Sequence, residues 1–360
     1  MISYQRQKGS EGFVLIFVLW VIVILTALAI GLGRKTAVEL SLVNYSITKW
    51  KTNHLAWAGF MYAIDQIVQD TRDAVTRNFD TLYQCGVKIP DGKSPQDIFK
   101  EISLGVGHFD IGYPYHQDSG GNGAFIYGLE DEERKININA LNYQNRDVLA
   151  QLLIIEGVDV TLADSIARAV VDWKDSDSQP LNPSDNTEDE YYMSLPYPYH
   201  CKNAPLDSIE ELLLVKGMTS EISQKIKDFI TIYPRGTTQL SINFDTAPDV
   251  VLRALARSLT GAATQTDIPD AESLVVKMMT YRRGKDNQEG TSDDQRLELD
   301  PLTLNASEKA LFLSLTPYRT FISNFFRVKV RGYGPDSTVT SEAEAVVGRQ
   351  DLSILYWHRQ

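Results

Sequence analysis

KGSEG-FVLIFVLWVIVILTALAIGLG-RK, residues 8–35, is the stretch whose reading decides the fold. From Phe13 to Gly33 no side chain ionises. At ~1.5 Å per helical residue, a run of that length crosses the ~30 Å hydrocarbon core of a bilayer. Arg6 and Lys8 precede it and Arg34 and Lys35 follow it, and its approach is short, polar and ends in Gly12.

Three readings fit this stretch. A cleaved secretory signal would use Ala27-Leu28-Ala29 as its exit, and an ordinary signal anchor would simply stay in the membrane. The third accounts for every part: a basic leader, a glycine, then an aromatic residue opening a membrane helix. The Gly12-Phe13 junction resembles the site where prepilin peptidase cuts on the cytoplasmic face before the new amino terminus is methylated. Most pilins and pseudopilins carry a glutamate four residues past the cut, and here that position is Phe17. A lone carboxylate in hydrocarbon is costly without a partner, and in that family the partner is the amino terminus of the neighbouring subunit. A subunit with no neighbour above it has no such partner.

The rest of the chain reads as an exported, tethered globular protein. Its 360 residues leave room for an anchor and about two domains of ordinary size. With 47 acidic against 35 basic residues the net charge is −12, which disfavours nonspecific attraction to nucleic acid or anionic lipid. Two cysteines occur, Cys85 and Cys201. Outside the cytoplasm they could close a disulfide, the alternative being two unpaired buried thiols.

Helical spacing continues through Ala37, Leu40, Tyr45, Ile47, Leu55, Ala58, Tyr62, Ile64 and Ile67, with no proline before Pro90, so one long helix is expected to leave the membrane and enter the soluble domain. Its stripe reads as packing on its own domain, because no heptad is sustained. Strands are expected at Gly107 to Gly112 and Ala124 to Leu129, the run Ser119 to Gly123 lying between them as a turn. They return at Phe325 to Tyr333, Thr338 to Gly348 and Leu352 to Trp357. That pattern implies an α+β fold: an antiparallel sheet whose parts are separated by a helical insertion.

The insertion holds a weak repeat. One copy runs from Ile136-Asn-Ile-Asn-Ala140 through Gly157 and Ala163–Trp173 to Asp175-Ser-Asp177, the other from Ile242-Asn-Phe-Asp-Thr-Ala247 through Gly261 and Ala271–Tyr281 to Asp286-Asn287. Each ends in an acidic loop. Between them Leu206 to Ile232 has the two helices and Lys-Gly-Met turn of a helix-hairpin-helix. Such a turn can offer backbone N–H groups to a phosphate, so a membrane-anchored DNA-binding protein of competence type is the alternative function. Lys216, Lys225 and Lys227 are faced by Glu210, Glu211, Glu221 and Asp228, however, which leaves little counterion release to drive DNA binding, and no nucleic acid is expected.

Lys135-Ile-Asn-Ile-Asn-Ala140, Asp172-Trp-Lys-Asp-Ser-Asp177, Glu188-Asp-Glu-Tyr-Tyr192, Asn203-Ala-Pro-Leu206, Leu214-Val-Lys-Gly217 and Ile242-Asn-Phe-Asp-Thr-Ala-Pro248 occur in the order and context of one family. With Gly12-Phe13 and the missing glutamate at Phe17, the chain resembles the general secretion pathway protein K (GspK) family, the K-type minor pseudopilins of type II secretion. The resemblance implies a leader over 1–12, the membrane half of the first helix over 13–33, a pseudopilin α/β domain over 34–135 and 316–360, and an inserted α-domain with helix-hairpin-helix or SAM-like repeats over 136–315. It further implies a tip position on a periplasmic pseudopilus, with I- and J-type minor pseudopilins and the major pseudopilin filament as partners. The inner membrane would hold the anchor and the periplasm the C-terminal domain.

The acidic loops are the candidate sites. Asp172, Asp175 and Asp177 precede a polar loop that returns through Asp185, Glu188, Asp189 and Glu190, and carboxylates brought together this way repel unless compensated. A hard dication resolves the repulsion, and calcium tolerates the six to eight irregular oxygens such a loop supplies. The family resemblance carries a calcium site onto Asp172, Asp175, Asp177, Glu188 and Asp189. The second loop spaces Asp286, Glu289, Asp293 and Asp294 around Gly290 in a similar way without fitting an EF-hand, so one or two calcium ions are expected. Either loop also reads as a solvated turn rich in Asp and Asn. No G-x-S-x-G, H-E-x-x-H or G-x-x-x-x-G-K-[ST] occurs, and His54, His108, His116, His200 and His358 share no spacing, so no enzymatic role is read.

Overall fold

The computed structural model describes residues 11–116, 124–184, 187–260, 268–335 and 338–359. Ser119 to Gly123, Asp185 and Gly261 lie outside the described residues. The chain opens with α1 (Glu11–Arg72), then α2 (Pro95–Phe99), β1 (Ile102–Leu104), β2 (Gly107–Tyr115), β3 (Ala124–Tyr127) and β4 (Glu130–Asp131). The insertion follows: β5 (Ile136–Asn137), α3 (Asp147–Ile155), α4 (Val160–Lys174), α5 (Asp189–Met193), α6 (Ser220–Ile226), β6 (Ile230–Thr231), β7 (Ile242–Asn243), α7 (Asp249–Leu259), α8 (Ile268–Arg282), α9 (Ala306–Leu315) and β8 (Arg319–Thr320). β9 (Phe325–Tyr333), β10 (Thr340–Gly348) and β11 (Ile354–Arg359) close the chain.

The 62 residues of α1 make a rod of about 93 Å at ~1.5 Å per residue. Residues 12–47 are exposed along its whole circumference, so more than half of the rod stands clear of the domain. Its apolar first part is long and apolar enough to cross a membrane. Burial begins at Thr52 and recurs at Leu55, Ala56, Gly59, Phe60, Ala63, Gln66, Ile67 and Asp70, the i, i+3, i+4 rhythm of a helix lying on a surface. Of the stripe expected from apolar residues alone, only Leu55 and Ile67 are buried, and Ala37, Leu40, Tyr45 and Ile47 stand free. The difference comes from small and polar positions. Thr52, Ala56, Gly59 and Ala63 add short positions to the buried line of Leu55, Phe60 and Ile67.

β9 is the hub of an antiparallel sheet ordered β1-β2-β9-β10-β11, with β3 added to β2 and β4 to β9. The expected strands all form, within a few residues at their ends, and the register Thr340↔Tyr333 to Gly348↔Phe325 pairs β9 and β10 along their full length. The two ends of the insertion are neighbours in space, because β4, which precedes it, pairs with β9, which follows it, through Glu130↔Arg327 and Asp131↔Phe326. α1 packs on β2, β9 and β10. A Cβ at Gly332 would sit 2.6 Å from the Thr52 carbonyl oxygen and 2.9 Å from the Ala56 nitrogen, and one at Gly59 would sit 2.4 Å from Val330. Glycine at 332 lets the strand approach the helix backbone, and glycine at 59 makes room for the Val330 and Phe109 side chains.

The insertion is built twice on one plan. A parallel β5–β6 pair closes the first unit and a parallel β7–β8 pair closes the second. The Asn137 side chain accepts the N–H of Asn139, and Asn139 Oδ1 accepts the N–H of Leu206 at 2.8 Å. In the second unit Asn243 accepts from Asp245, and Asp245 Oδ1 accepts the N–H of Leu297 at 2.8 Å. α4 and α8 are both 15 residues long. Each ends in a cation that donates to the carbonyls of its unit's first turn: Lys174 to Asn139 and Leu141, Arg282 to Phe244 and Ala247. α3 packs on α7, and the two units share one core.

The hairpin expected over Leu206 to Ile232 differs in its first arm, which is a six-residue 3-10 helix over Ile209–Leu214 rather than an α-helix. Gly217, at φ +83°, is packed so that a Cβ would lie 3.0 Å from Ile166 Cγ1. The turn is pressed onto α4, as a structural hairpin requires.

All six residues of Glu130-Asp-Glu-Glu-Arg-Lys135 are buried, where the insertion leaves the sheet. Lys135 and Lys329 pair with Glu130 at 2.7 and 2.9 Å, Arg327 pairs with Glu132, and Arg134 stacks over Tyr115 at 4.6 Å. Asp131 accepts from Asn243 (3.1 Å) and Thr246 (2.5 Å), and Glu133 accepts the backbone N–H groups of Asn324 and Phe325. Burial, reinforced by neighbouring Asp131, pushes the Glu133 carboxyl above its ordinary range.

Two tests follow from this packing. Gly332→Ala should lower stability by about 1–3 kcal/mol, the usual cost of overpacking, read as a drop in melting temperature. Because Glu133 holds its proton more tightly folded than unfolded, its stabilising term is full below the ordinary carboxylate range and is lost as pH rises through its raised value. Glu133→Gln, which cannot ionise, should flatten that decline in a pH series of thermal melts; an unchanged slope would show that Glu133 is not its source.

Candidate functional site

The first acidic loop begins where α4 runs out. Trp173 is buried edge-on to Tyr192 at 5.0 Å, fixing the helix end against the returning segment. Asp172 is fully buried beside it and ties the two arms of the loop, one oxygen accepting the N–H of Leu181 at 3.1 Å and the other the hydroxyl of Thr187. Beyond Lys174 the chain turns sharply, which sets Asp175 and Asp177 opposite Glu188 at the start of α5. One oxygen from each of Asp175, Asp177 and Glu188 lies within 4.8 Å of the others. Among the described residues this is the one group of three or more acids, histidines or cysteines gathered so closely.

That trio is short of partners. Both carboxylate oxygens of Glu188 and Oδ1 of Asp175 are buried without a hydrogen bond, although buried polar atoms are normally satisfied. Burial, followed by the charges of Asp177 and Asp172, pushes Asp175 up to about 6. Burial and the charges of Asp172, Asp175, Asp177 and Asp189 push Glu188 up to about 7. Loss of water and mutual repulsion act together here, and a hard dication relieves both. The donor set fits calcium: three carboxylates with free oxygens on an irregular loop.

The other acids of this loop do different work. Asp172 braces the loop as described. Asp189 is taken up by His200 Nδ1 at 2.9 Å and the N–H of Cys201 at 2.6 Å, which hold its carboxyl below the usual range. Neither points a free pair of oxygens at the trio. His200, which shares no spacing with the other histidines of the sequence, helps orient Asp189.

The second loop is arranged otherwise. Asp293 accepts the N–H groups of Lys285 and Asp286 and the hydroxyl of Thr291, Asp286 accepts the N–H of Gln288, and Asp294 accepts the N–H of Gly290. Glu289 is ion-paired with Arg282 and accepts the Tyr115 hydroxyl at 2.8 Å. The expected calcium ligands of this loop, Asp286, Glu289, Asp293 and Asp294, are therefore not gathered around one point, because backbone N–H groups and an arginine have already claimed them.

Cys85 and Cys201 are free and buried. The disulfide reading is corrected: Cys85 lies in the core between α1 and the sheet and Cys201 in the core of the insertion, where its thiol reaches the Asp172 carbonyl at 3.6 Å. Gly12 and Phe13 sit in the first turn of α1, with Phe13 and Phe17 both exposed.

Sequence reading missed the buried charges of residues 130–135, since a run of six ionisable residues ordinarily marks a solvated surface. The available signal was their mixed sign directly before the Ile136-Asn-Ile-Asn-Ala140 segment.

Residues 134–235 match the family model for type II secretion system (T2SS), protein K. An Escherichia coli strain K12 protein provisionally named type II secretion system protein K is 32% identical over 169 residues, 43% of this chain and 48% of that protein. Type II secretion system protein K of Klebsiella pneumoniae is 29% identical over 133 residues, 34% of this chain and 40% of its own length. The matched stretches thus span about half the length of these relatives or less. The fold is similar to a chain in the crystal structure of the GspK-GspI-GspJ complex from the enterotoxigenic Escherichia coli type 2 secretion system, with a TM-score of 0.58 at 16% identity, covering 89% of this chain and 99% of that one. A long helix on an antiparallel sheet, interrupted by a helical insertion, is therefore a solved architecture, and residues 134–235 of this chain carry the match to the type II secretion system protein K family.

Proposed function

We propose that this chain is a minor pseudopilin of a type II secretion system, placed at the tip of a periplasmic pseudopilus, where it initiates or caps the filament. The observation that carries the reading is the union of two parts: an exposed apolar rod with Phe17 in place of an acid, and a protein K domain spliced into the sheet at its base. The rod anchors the subunit in the inner membrane with the C-terminal domain in the periplasm. Prepilin peptidase cuts between Gly12 and Phe13, and Phe13 becomes the methylated amino terminus. Extraction into the filament then exchanges lipid contacts for contacts with neighbouring helices. Without a carboxylate at Phe17 the subunit offers nothing to a charged terminus above it, and the inserted domain makes it too broad to stack repeatedly. The name of the solved complex supports I- and J-type minor pseudopilins as its companions.

Calcium at the first loop belongs to the same reading. Asp175, Asp177 and Glu188 would hold it, and the ion would supply the positive charge that the buried oxygens of Asp175 and Glu188 lack. Asp172 and Asp189 keep the two arms in place around it through Thr187, Leu181 and Cys201.

The decisive experiment is recovery of the protein from native membranes. The expected product begins at a methylated Phe13 and copurifies with I- and J-type pseudopilins. A product that retains residues 1–12, or that associates with none of them, would overturn the assignment. For the loop, calcium at a hundredfold excess over its dissociation constant should stabilise the protein by about 2.7 kcal/mol. That gain should appear as a rise in melting temperature and vanish in the double variant Asp175→Asn, Asp177→Asn. Equal melting with calcium and with chelator would sink the metal assignment.

A further inference from the structure

The two repeat units end alike and then treat their acids differently. In the first, the cation that closes α4 is Lys174, whose ammonium donates to the carbonyls of Asn139 and Leu141. In the second, the cation at the same place is Arg282, whose Nη1 donates to the carbonyls of Phe244 and Ala247, in the corresponding turn, at 2.8 and 2.6 Å. A lysine is a single point of charge, whereas arginine is a fork with donors to spare. Arg282 uses the other tine: Nη2 reaches Glu289 in the acidic loop. The side chains of this pair are 1% and 3% exposed, so the charge of the loop is met inside the protein. Glu289 also accepts the hydroxyl of Tyr115, the last residue of β2, at 2.8 Å. One carboxylate thus links the insertion to the sheet.

From this we infer that the second acidic loop takes no dication: Arg282 occupies the role that an ion would play, and Glu289 is a clamp that fastens the inserted domain to β2 through Tyr115. The remaining acids agree. Asp293 spends its oxygens on two backbone N–H groups and Thr291, and Asp286 and Asp294 each close a local turn. Oδ1 of Asp294 is the loop's one oxygen that is buried without a hydrogen bond, among the described residues. Among the described residues these four acids do not bring three carboxylate oxygens within 4.8 Å of one another, as Asp175, Asp177 and Glu188 do, so no shared point is left for an ion that needs several oxygens at once. The count of one ion per chain rests on the calcium reading of the first loop; the closure of the second loop by Arg282 does not.

Calorimetric titration of the full, detergent-solubilised chain with calcium chloride separates the two. The expected result is one ion for the parent and for the Asp293→Asn, Asp294→Asn variant, and none for Asp175→Asn, Asp177→Asn. A second ion in the parent, or loss of an ion with the Asp293 and Asp294 changes, overturns the inference while leaving the first loop intact. No ion in the parent removes the calcium reading of the first loop and agrees with an internally closed second loop. Glu289→Gln and Tyr115→Phe should each lower the melting temperature by the same amount in calcium and in chelator. A loss seen only in calcium would make Glu289 a ligand and overturn the clamp.

Discussion

The buried ion network at residues 130–135 is the constraint on which the rest of the architecture depends. Six consecutive ionisable residues have left water: the four acids are met from distant parts of the chain, by Lys329 and Arg327 from β9, Asn243 and Thr246 from the insertion, and Asn324 and Phe325 where the chain returns, while Lys135 pairs within the run with Glu130 and Arg134 lies over Tyr115. Burying charges this way is costly in itself, and removing one partner leaves an uncompensated charge, typically a loss of about 3–5 kcal/mol. Such a network stabilises little net but tolerates few alternatives. It fixes where the insertion leaves the sheet and how it returns.

With both ends of the insertion pinned beside β9, the sheet and the inserted domain fold around separate cores that meet at one seam. The sheet side is organised by close approach. Gly332 lets β9 lie against α1 at backbone distance and Gly59 admits the Val330 side chain, so the buried line of Leu55, Phe60 and Ile67 packs closely on the sheet. The exposed part of α1 contributes nothing to that core and is free for a membrane or for other helices. The packed face and the exposed apolar run thus lie at opposite ends of one helix.

The insertion shows how a duplicated frame diverges through single residues. Both units keep the same turn hydrogen bonds and the same helix length, yet a lysine in one and an arginine in the other decide whether the following acids are answered from within. Where the cation is Lys174, three carboxylates are left facing one another, with buried, unbonded oxygens on Asp175 and Glu188. Where it is Arg282, the equivalent charge is consumed in an ion pair.

The sequence by itself determined what depends on local pattern: the apolar run and its junction at Gly12-Phe13, the uninterrupted helix, the alternating strands at both ends of the chain, the doubled motif and the two acidic loops. These follow from periodicity and from residue types whose meaning is carried along the chain. Only the tertiary structure decided which side of α1 is buried, because Thr52, Gly59 and Gln66 are not apolar signals and matter through what approaches them. It likewise separated Cys85 from Cys201, selected Asp175, Asp177 and Glu188 from a longer row of acids, and placed residues 130–135 indoors. The physical reason is the same in each case: whether a charge is solvated, paired or left wanting is set by neighbours tens or hundreds of residues away, and a linear pattern holds no record of them.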